Sequence, residues 1–274
     1  MKKKIFAVSD IHGDYEALIK GLEEAGFDKN NPDHLLVSLG DAFDRGGCSL
    51  AVYEYLRKLS DKGKAIVLKG NHTSLFTGYL DGTSISPFNY YNNGVDETMA
   101  DFLHETTPFE TYCLFNNIDM PTYGDFGEWI SKTREEINEE FPDLLEWLNT
   151  RPYYFETKNY IFTHGAIDTK VKDWHEPKCE RYSLAGWNAL MWDEGSFFGE
   201  DITNTDKTVV IGHFGTAILR KKYPDLIKND IGDEDDVLIR DDGRVIALDA
   251  TTCISKKVNV LVIDSEEIIN DEIK

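Results

Sequence analysis

Asp10 and His12 stand two residues apart in the run SDIHGD, Ser9 to Asp14, directly after the apolar stretch Ile5 to Val8. An Asp oxygen and a His nitrogen at that spacing in a sharp loop can converge on one point, and mixed oxygen and nitrogen donors suit divalent transition metals. Gly13 lets the backbone turn away while both side chains stay free. Alone, D-x-H is common, and its plain interpretation is an Asp-Gly turn beside a surface histidine. The pattern recurs, however. The apolar run His34 to Leu39 ends in GDAFDRG, Gly40 to Gly46, and Ala65 to Leu68 ends in GNH, Gly70 to His72. Later, Tyr160 to Thr163 runs into THGA, and Thr208 to Ile211 into GHFG. Asp10, His12, Asp41, Asn71, His164 and His213 therefore form a candidate ligand set in which each member follows an apolar strand.

The elements that must position these loops are legible in the apolar periodicity. Residues 4 to 72 alternate strand and helix three times, with helices expected over Tyr15 to Ala25 and Ser49 to Leu59, the rhythm of a mainly parallel sheet with covering helices. Such a sheet delivers successive strand ends to one edge. From about residue 73 to 150 the chain turns aromatic and acidic, with helices expected over Asp96 to Leu103 and Phe126 to Leu148 and loops at 86–94 and 119–127. This stretch reads as a helical insertion, a cap over the metal edge in preference to an inert excursion; His104 within it lacks a ligand-like loop and reads as structural or exposed. The β pattern then returns: a hairpin from Tyr153 to Thr163, a strand at Thr208 to Ile211, a hairpin around Asp241 to Gly243, and a last strand at Val258 to Ile263. This half predicts a second, predominantly antiparallel sheet closing a sandwich against the first. The expectation is a single domain spanning residues 1–274, a two-sheet mixed β-sandwich of α/β character flanked by helices.

Composition narrows the function. Against 29 basic residues stand 50 acidic ones, a formal net charge of −21, which argues against duplex nucleic acid as a partner because Lys and Arg supply most of that affinity. Solubility explains such an excess, and so do bound dications that offset it. The opening MKKKIFAV is too short in apolar residues for a signal peptide, and no run approaches the roughly 18 apolar residues of a membrane span. Cys48, Cys113, Cys179 and Cys253 are scattered, so neither zinc ribbon nor disulfide framework is indicated, and a cytoplasmic location is expected.

The motif order SDIHG (9 to 13), GDAFDRG (40 to 46), GNHT (70 to 73), HGA (164 to 166) and GH (212 to 213) resembles that of the calcineurin-like metallophosphoesterases, most closely the phosphoprotein phosphatase branch. The likeness spans residue 9 to about 253, and GDAFDRG is its most specific piece. The resemblance implies a dinuclear centre of two divalent ions, with Asp10 and His12 on the first, Asp41 bridging, and Asn71, His164 and His213 on the second. Manganese is the leading choice, and such nitrogen and oxygen donors also admit iron, zinc or nickel. It further implies that His72 serves as general acid, Asp44 as its carboxylate partner, and Arg45 as a bidentate grip on phosphate. Ser9, Thr73, Ala166 and Phe214 depart from the family pattern. So does WNALMWDEG, Trp187 to Gly195, where Asp193 and Glu194 stand in place of a second phosphate-binding Arg; Arg181 or Arg220 would have to substitute.

Three functions fit these residues. The first is a phosphomonoesterase of the serine/threonine protein phosphatase type acting on a phosphorylated partner. The second keeps the chemistry on a dinucleoside polyphosphate. The third is a noncatalytic metal-stabilised interaction protein, disfavoured because a structural site needs neither His72, Asp44 nor Arg45.

Overall fold

The computed structural model describes residues 2–83, 92–104, 123–171, 174–175, 189–193 and 195–268. Strands β1 (Lys2–Val8), β2 (His34–Ser38) and β3 (Ala65–Val67) alternate with helices α1 (Tyr15–Glu24) and α2 (Ser49–Asp61), and α3 (Asn71–Leu80) follows β3. Both strand pairings are parallel, with Phe6 opposite Leu36 and Val37 opposite Ile66. Asp14 caps α1 by accepting from the Ala17 amide at 3.1 Å, which starts the helix as soon as the loop has turned.

Next come α4 (Val95–Phe102), α5 (Tyr123–Glu140) and α6 (Leu144–Asn149). The expected single helix over Phe126 to Leu148 is broken between α5 and α6 at Phe141 to Asp143, where Pro142 cannot continue the ladder. Of the two expected loops, 86–91 and 119–122 lie outside the described residues, and 123–127 is already helical. His104 is exposed at the end of α4, near Glu140 at 4.0 Å.

The second sheet contains β4 (Tyr154–Glu156), β5 (Tyr160–Thr163), β6 (Thr208–Ile211), β7 (Leu238–Ile239) and β8 (Val245–Ala247), in the order β4-β5-β6-β8-β7. It differs from the antiparallel expectation. The two hairpins are antiparallel, but β5, β6 and β8 run parallel at its centre. The last strand, β9 (Leu261–Glu267), leaves that sheet altogether and pairs antiparallel with β1, Ile5 facing Ile263. Periodicity marks a strand but not its neighbour.

Strict alternation builds the layers. Ile5 and Ala7 of β1, Leu35 and Val37 of β2, Phe162 of β5, Val210 of β6 and Ile246 of β8 meet between the sheets. Their neighbours point the other way. Phe6, Val8 and Leu36 pack under the helices, with Val95, Met99, Phe102, Trp129 and Ile130 of the insertion in the same core. Ile161, Val209, Ile211, Val245 and Ala247 pack beneath Phe197, Phe198 and Leu219 of α7 (Thr216–Lys222), and the short α8 (Thr252–Ser255) precedes β9. Strands buried on both faces read as unbroken apolar runs, which is why these segments stand out in the chain. Among the described residues, no helix is long and apolar enough to cross a membrane.

Candidate metal centre and active site

Parallel pairing places the carboxyl ends of β1, β2 and β3 along one edge of the first sheet, and β5 and β6 end on the facing edge of the second. Backbone hydrogen bonds then join the loops. The amides of His12 and Gly13 donate to Asp41 and Ala42, at 3.0 and 2.9 Å, and that of Gly212 donates to His164 at 2.9 Å. The turns are tight enough to force Asp10, His12, Asp41, Asp44, Arg45 and His213 to positive φ, between 47° and 69°. Such a conformation costs a non-glycine residue roughly 1–3 kcal/mol, so its concentration at one edge marks a built site.

The two sides of the cluster are buried differently from ordinary polar loops. Asp10, Asp41, Asn71 and His164 are at most 4% exposed, while His213 is partly buried. Asn71 Oδ1 lies 2.8 Å from His164 Nε2, and the same nitrogen is 3.1 Å from Asp41 Oδ2. Donor atoms of Asp41, His164 and His213 all fall within 4.8 Å of one another. On the other side, His12, Asp41 and His72 form a second such group. Asp10 Oδ1 approaches His12 Nε2 at 3.9 Å, while its Oδ2 accepts from the Ser9 hydroxyl at 2.5 Å and the His213 amide at 2.9 Å. One carboxylate oxygen of Asp10 is thus held by the protein, and the other faces the cluster.

Helix α3 begins on the site itself. Asn71 and His72 are its first two residues, and the His72 amide donates to Asp41 Oδ1 at 3.0 Å, so the positive end of the helix meets the shared carboxylate. Thr73 takes over the cap: its hydroxyl accepts from the Gly70 amide at 3.3 Å, the role a Glu or Gln plays at this position of a capping box. Any side chain at Gly70 would overlap the Asp41 carboxylate.

Electrostatics follows from burial. Taking His12 out of water, with His72 beside it, lowers its pKa to about 4, and burial together with His164 lowers His213 to about 3. Both rings are neutral at physiological pH, the form that ligates a cation. Burial would also lower His164, but the charges of Asp41 and Asp10 prevail and raise it to about 9. Burial pushes Asp41 up and the surrounding His164 and His72 outweigh it, holding that carboxylate well below its ordinary range.

His72 is oriented twice. Its Nδ1 lies 2.7 Å from Asp44 Oδ2, and its Nε2 lies 2.9 Å from Arg45 Nη2. Arg45 Nη1 lies 3.1 Å from His12 Nε2, whose ring reaches Phe43 O through Nδ1 at 3.0 Å. A guanidinium only donates, so both Nε2 atoms accept and both rings carry their proton on Nδ1. Asp44 is fully buried, and burial raises its pKa against the hydrogen bonds from His72 and Thr98.

All nine residues singled out in the sequence therefore meet at one edge. Arg220 does not join them: it is held by Asp230 at 2.7 Å and by the carbonyls of Glu234, Asp236 and Val237. Asp193 is likewise engaged elsewhere, accepting from Ser196 Oγ at 3.0 Å and the Phe197 amide at 3.2 Å. Arg181 and Glu194 lie outside the described residues. Ser9, noted in the sequence only as a departure from the family pattern, holds Asp10, and two neighbours had no readable signal: Thr98 and the buried Asp249, whose carboxyl is raised well above its ordinary value by burial and by Asp10.

The family model for the calcineurin-like phosphoesterases matches residues 3–240. An asymmetrical bis(5'-nucleosyl)-tetraphosphatase of Bacillus velezensis is 31% identical over 107 residues, 37% of this chain and 41% of that protein. Shewanella-like protein phosphatase 1 of Plasmodium berghei is 27% identical over 179 residues, 61% of this chain and 40% of its own length. The chain thus aligns with about two fifths of the length of either relative. The crystal structure of a cold-active protein-tyrosine phosphatase from a psychrophilic Shewanella shares the fold, with a TM-score of 0.53 over 96% of this chain and 75% of that one at 17% identity. The match to the family runs through every loop that contributes to the edge cluster, from Asp10 to His213, and the chain belongs to the calcineurin-like phosphoesterases.

Proposed function

We propose that this chain is a metal-dependent phosphomonoesterase of the protein phosphatase type. Asp10, His12 and Asp41 would hold one divalent cation, and Asp41, Asn71, His164 and His213 a second. His72, whose donor atom also groups with those of His12 and Asp41, is assigned to proton transfer and not to the ligand set, as the motif resemblance implies, with Asp44 holding its Nδ1. The donor set supports this assignment: nitrogen and oxygen atoms in a buried cluster, two of whose imidazoles are kept neutral. Bound there, the cations supply an activated water for attack on phosphorus and offset charge on the phosphoryl oxygens.

The protein's own residues do the rest. Arg45 leaves the imidazoles it now spans and grips phosphate oxygens through paired N–H groups. With Arg45 gone from it, His72 Nε2 takes up a proton from solvent, the resulting imidazolium being held at Nδ1–H by Asp44, and delivers that proton to the leaving-group oxygen as the phosphorus–oxygen bond breaks. Asp44 keeps the imidazolium oriented while it carries that proton. The observation that carries the reading is the 2.7 Å contact between His72 and Asp44 together with Arg45 on the other ring nitrogen at 2.9 Å, a cation beside the donor cluster that a purely structural metal site has no use for.

A phosphorylated serine or threonine in protein is the proposed substrate, supported by the longer alignment to the protein phosphatase. The tetraphosphatase relatives keep a dinucleoside polyphosphate as the second reading. Turnover of a phosphoserine peptide, p-nitrophenyl phosphate and diadenosine tetraphosphate is to be measured with manganese and with a chelator. Manganese-dependent release of phosphate from the peptide is expected. Turnover of the dinucleotide alone overturns the substrate, and turnover of none overturns the activity.

A further inference from the structure

Helix α4 belongs to the insertion, yet one of its residues reaches the centre of the proposed acid. Thr98 is fully buried, and its Oγ1 is 2.7 Å from Asp44 Oδ1 and 2.8 Å from the Asp44 amide. A hydroxyl has one proton, and Asp44 Oδ1 takes it; the amide and Ser49 Oγ, at 3.1 Å, must then donate to the Thr98 oxygen. Asp44 Oδ2 meanwhile faces His72. Each carboxylate oxygen therefore has its own partner, one from the insertion and one from the histidine.

The clamp also holds the Asp44 backbone at φ 69°, a conformation a non-glycine residue adopts only where its surroundings impose it. The helix that carries Thr98 is fastened to the same place at other points. The Asp101 carboxylate accepts from the Leu50 amide at 2.6 Å, and Gly94 packs against the backbone of Arg45 too closely for any side chain.

We propose that Thr98 is a positioning residue for catalysis: it fixes the rotation of the Asp44 carboxylate and, through it, the direction in which His72 presents its proton. The inference rests on the proposed function, in which His72 is the acid. It makes helix α4 part of the support of the catalytic histidine.

The test uses leaving groups of different need. Phenyl phosphate requires protonation of its departing oxygen far more than p-nitrophenyl phosphate does. Thr98→Val keeps the shape and removes the hydroxyl. It is expected to lower kcat about ten- to hundredfold on phenyl phosphate and only about threefold on p-nitrophenyl phosphate, with KM unchanged, since a general acid contributes about 10²–10⁴-fold in all. Thr98→Ser should restore both rates to within about threefold of the wild type. Equal losses on the two substrates, or failure of Ser to rescue, overturns the proposal. Should the Val variant not fold, Thr98→Cys, a weaker donor of similar size, carries the same comparison.

His72→Asn is measured alongside. If it lacks the selective loss on phenyl phosphate, the acid assignment itself fails; if it shows that loss and Thr98→Val does not, only the role of Thr98 fails. A readout without turnover is the downfield proton resonance of the His72 Nδ1–H, identified by its absence in His72→Asn. It is expected to persist in the Ser variant and to broaden or shift in Val or Cys, and an unchanged resonance in the latter overturns the proposal.

Discussion

The amide of His213 donates to Asp10 Oδ2 at 2.9 Å, so two loops separated by 203 positions, one from each sheet, share a single carboxylate oxygen. The sandwich is closed at this edge by the same groups that face the cation cluster. Packing of the two sheets and geometry of the site are therefore one problem, and several outcomes follow from it.

A methyl group at Gly212 would overlap both the Ser9 hydroxyl and the Asp10 carboxylate. Gly212→Ala should displace Asp10, destabilise the protein by about 1–3 kcal/mol as overpacking does, and weaken metal retention more than it weakens the fold. Bound manganese after gel filtration, compared with thermal denaturation, checks this. Full metal content in the variant would contradict the place given to Asp10.

Arg45 reaches two imidazoles through separate nitrogens, a span a lysine ammonium cannot copy. Arg45→Lys should lose about ten- to hundredfold in kcat/KM on phosphomonoesters, the usual worth of a charge-assisted hydrogen bond, with much of the loss in KM. Steady-state kinetics on p-nitrophenyl phosphate settle the point, and wild-type KM in the variant would remove Arg45 from the phosphate.

Stripped of metal, His164 carries a proton up to about pH 9, held chiefly by Asp41 and Asp10 against the effect of burial. A cation seated among Asp41, Asn71 and His164 competes with that proton, whereas His12 and His213, lowered to about 4 and about 3, have none to release at neutral pH. Binding of manganese at pH 7.5 should release about one proton from the histidines, and affinity should rise with pH up to about 9. Titration calorimetry in buffers of different ionisation heat measures the release directly. No release would place the cation elsewhere.

Asp96, half-buried beside Glu97 in α4, has its carboxyl pushed up to about 8 by burial and by the neighbouring carboxylate. The folded chain keeps this proton while the unfolded chain loses it above an ordinary value near 3.8, so the residue subtracts stability as pH rises from about 4 to about 8. Asp96→Asn cannot titrate. Its melting temperature should exceed that of the wild type by a margin that widens between pH 5 and pH 8, and a constant margin would count against the shift.

Several elements were legible from residues alone for a physical reason. Strands buried on both faces leave unbroken apolar runs, and the turn residues that follow them name the loops; parallel alternation with helices then requires those loops to share an edge. Asp10, Asp41 and Asn71 are grouped on that basis by the sequence alone, and so are the two halves of the sandwich. The helix break at Pro142 is not foreseen: the periodicity on either side invites a single long helix, and it is the missing N–H of Pro142 that ends the ladder.

What the periodicity could not carry was partnership. Val258 to Ile263 announces a strand, but only the packing of Ile263 against Ile5 and its neighbours assigns it to the first sheet. Arg220 was a candidate for the second phosphate grip and Asp193 stood where that Arg was expected; the folded chain commits Arg220 to Asp230 and Asp193 to the Phe197 amide. Thr98 is the sharpest case. Nothing local distinguishes it from other helical threonines, because its task is defined by Asp44, 54 residues away. Residue type and spacing determined which chemistry this chain carries; the helix rotation that turns one hydroxyl onto one carboxylate was decided by the shared core beneath α4, where Val95, Met99 and Phe102 are buried and fix the face that Thr98 presents.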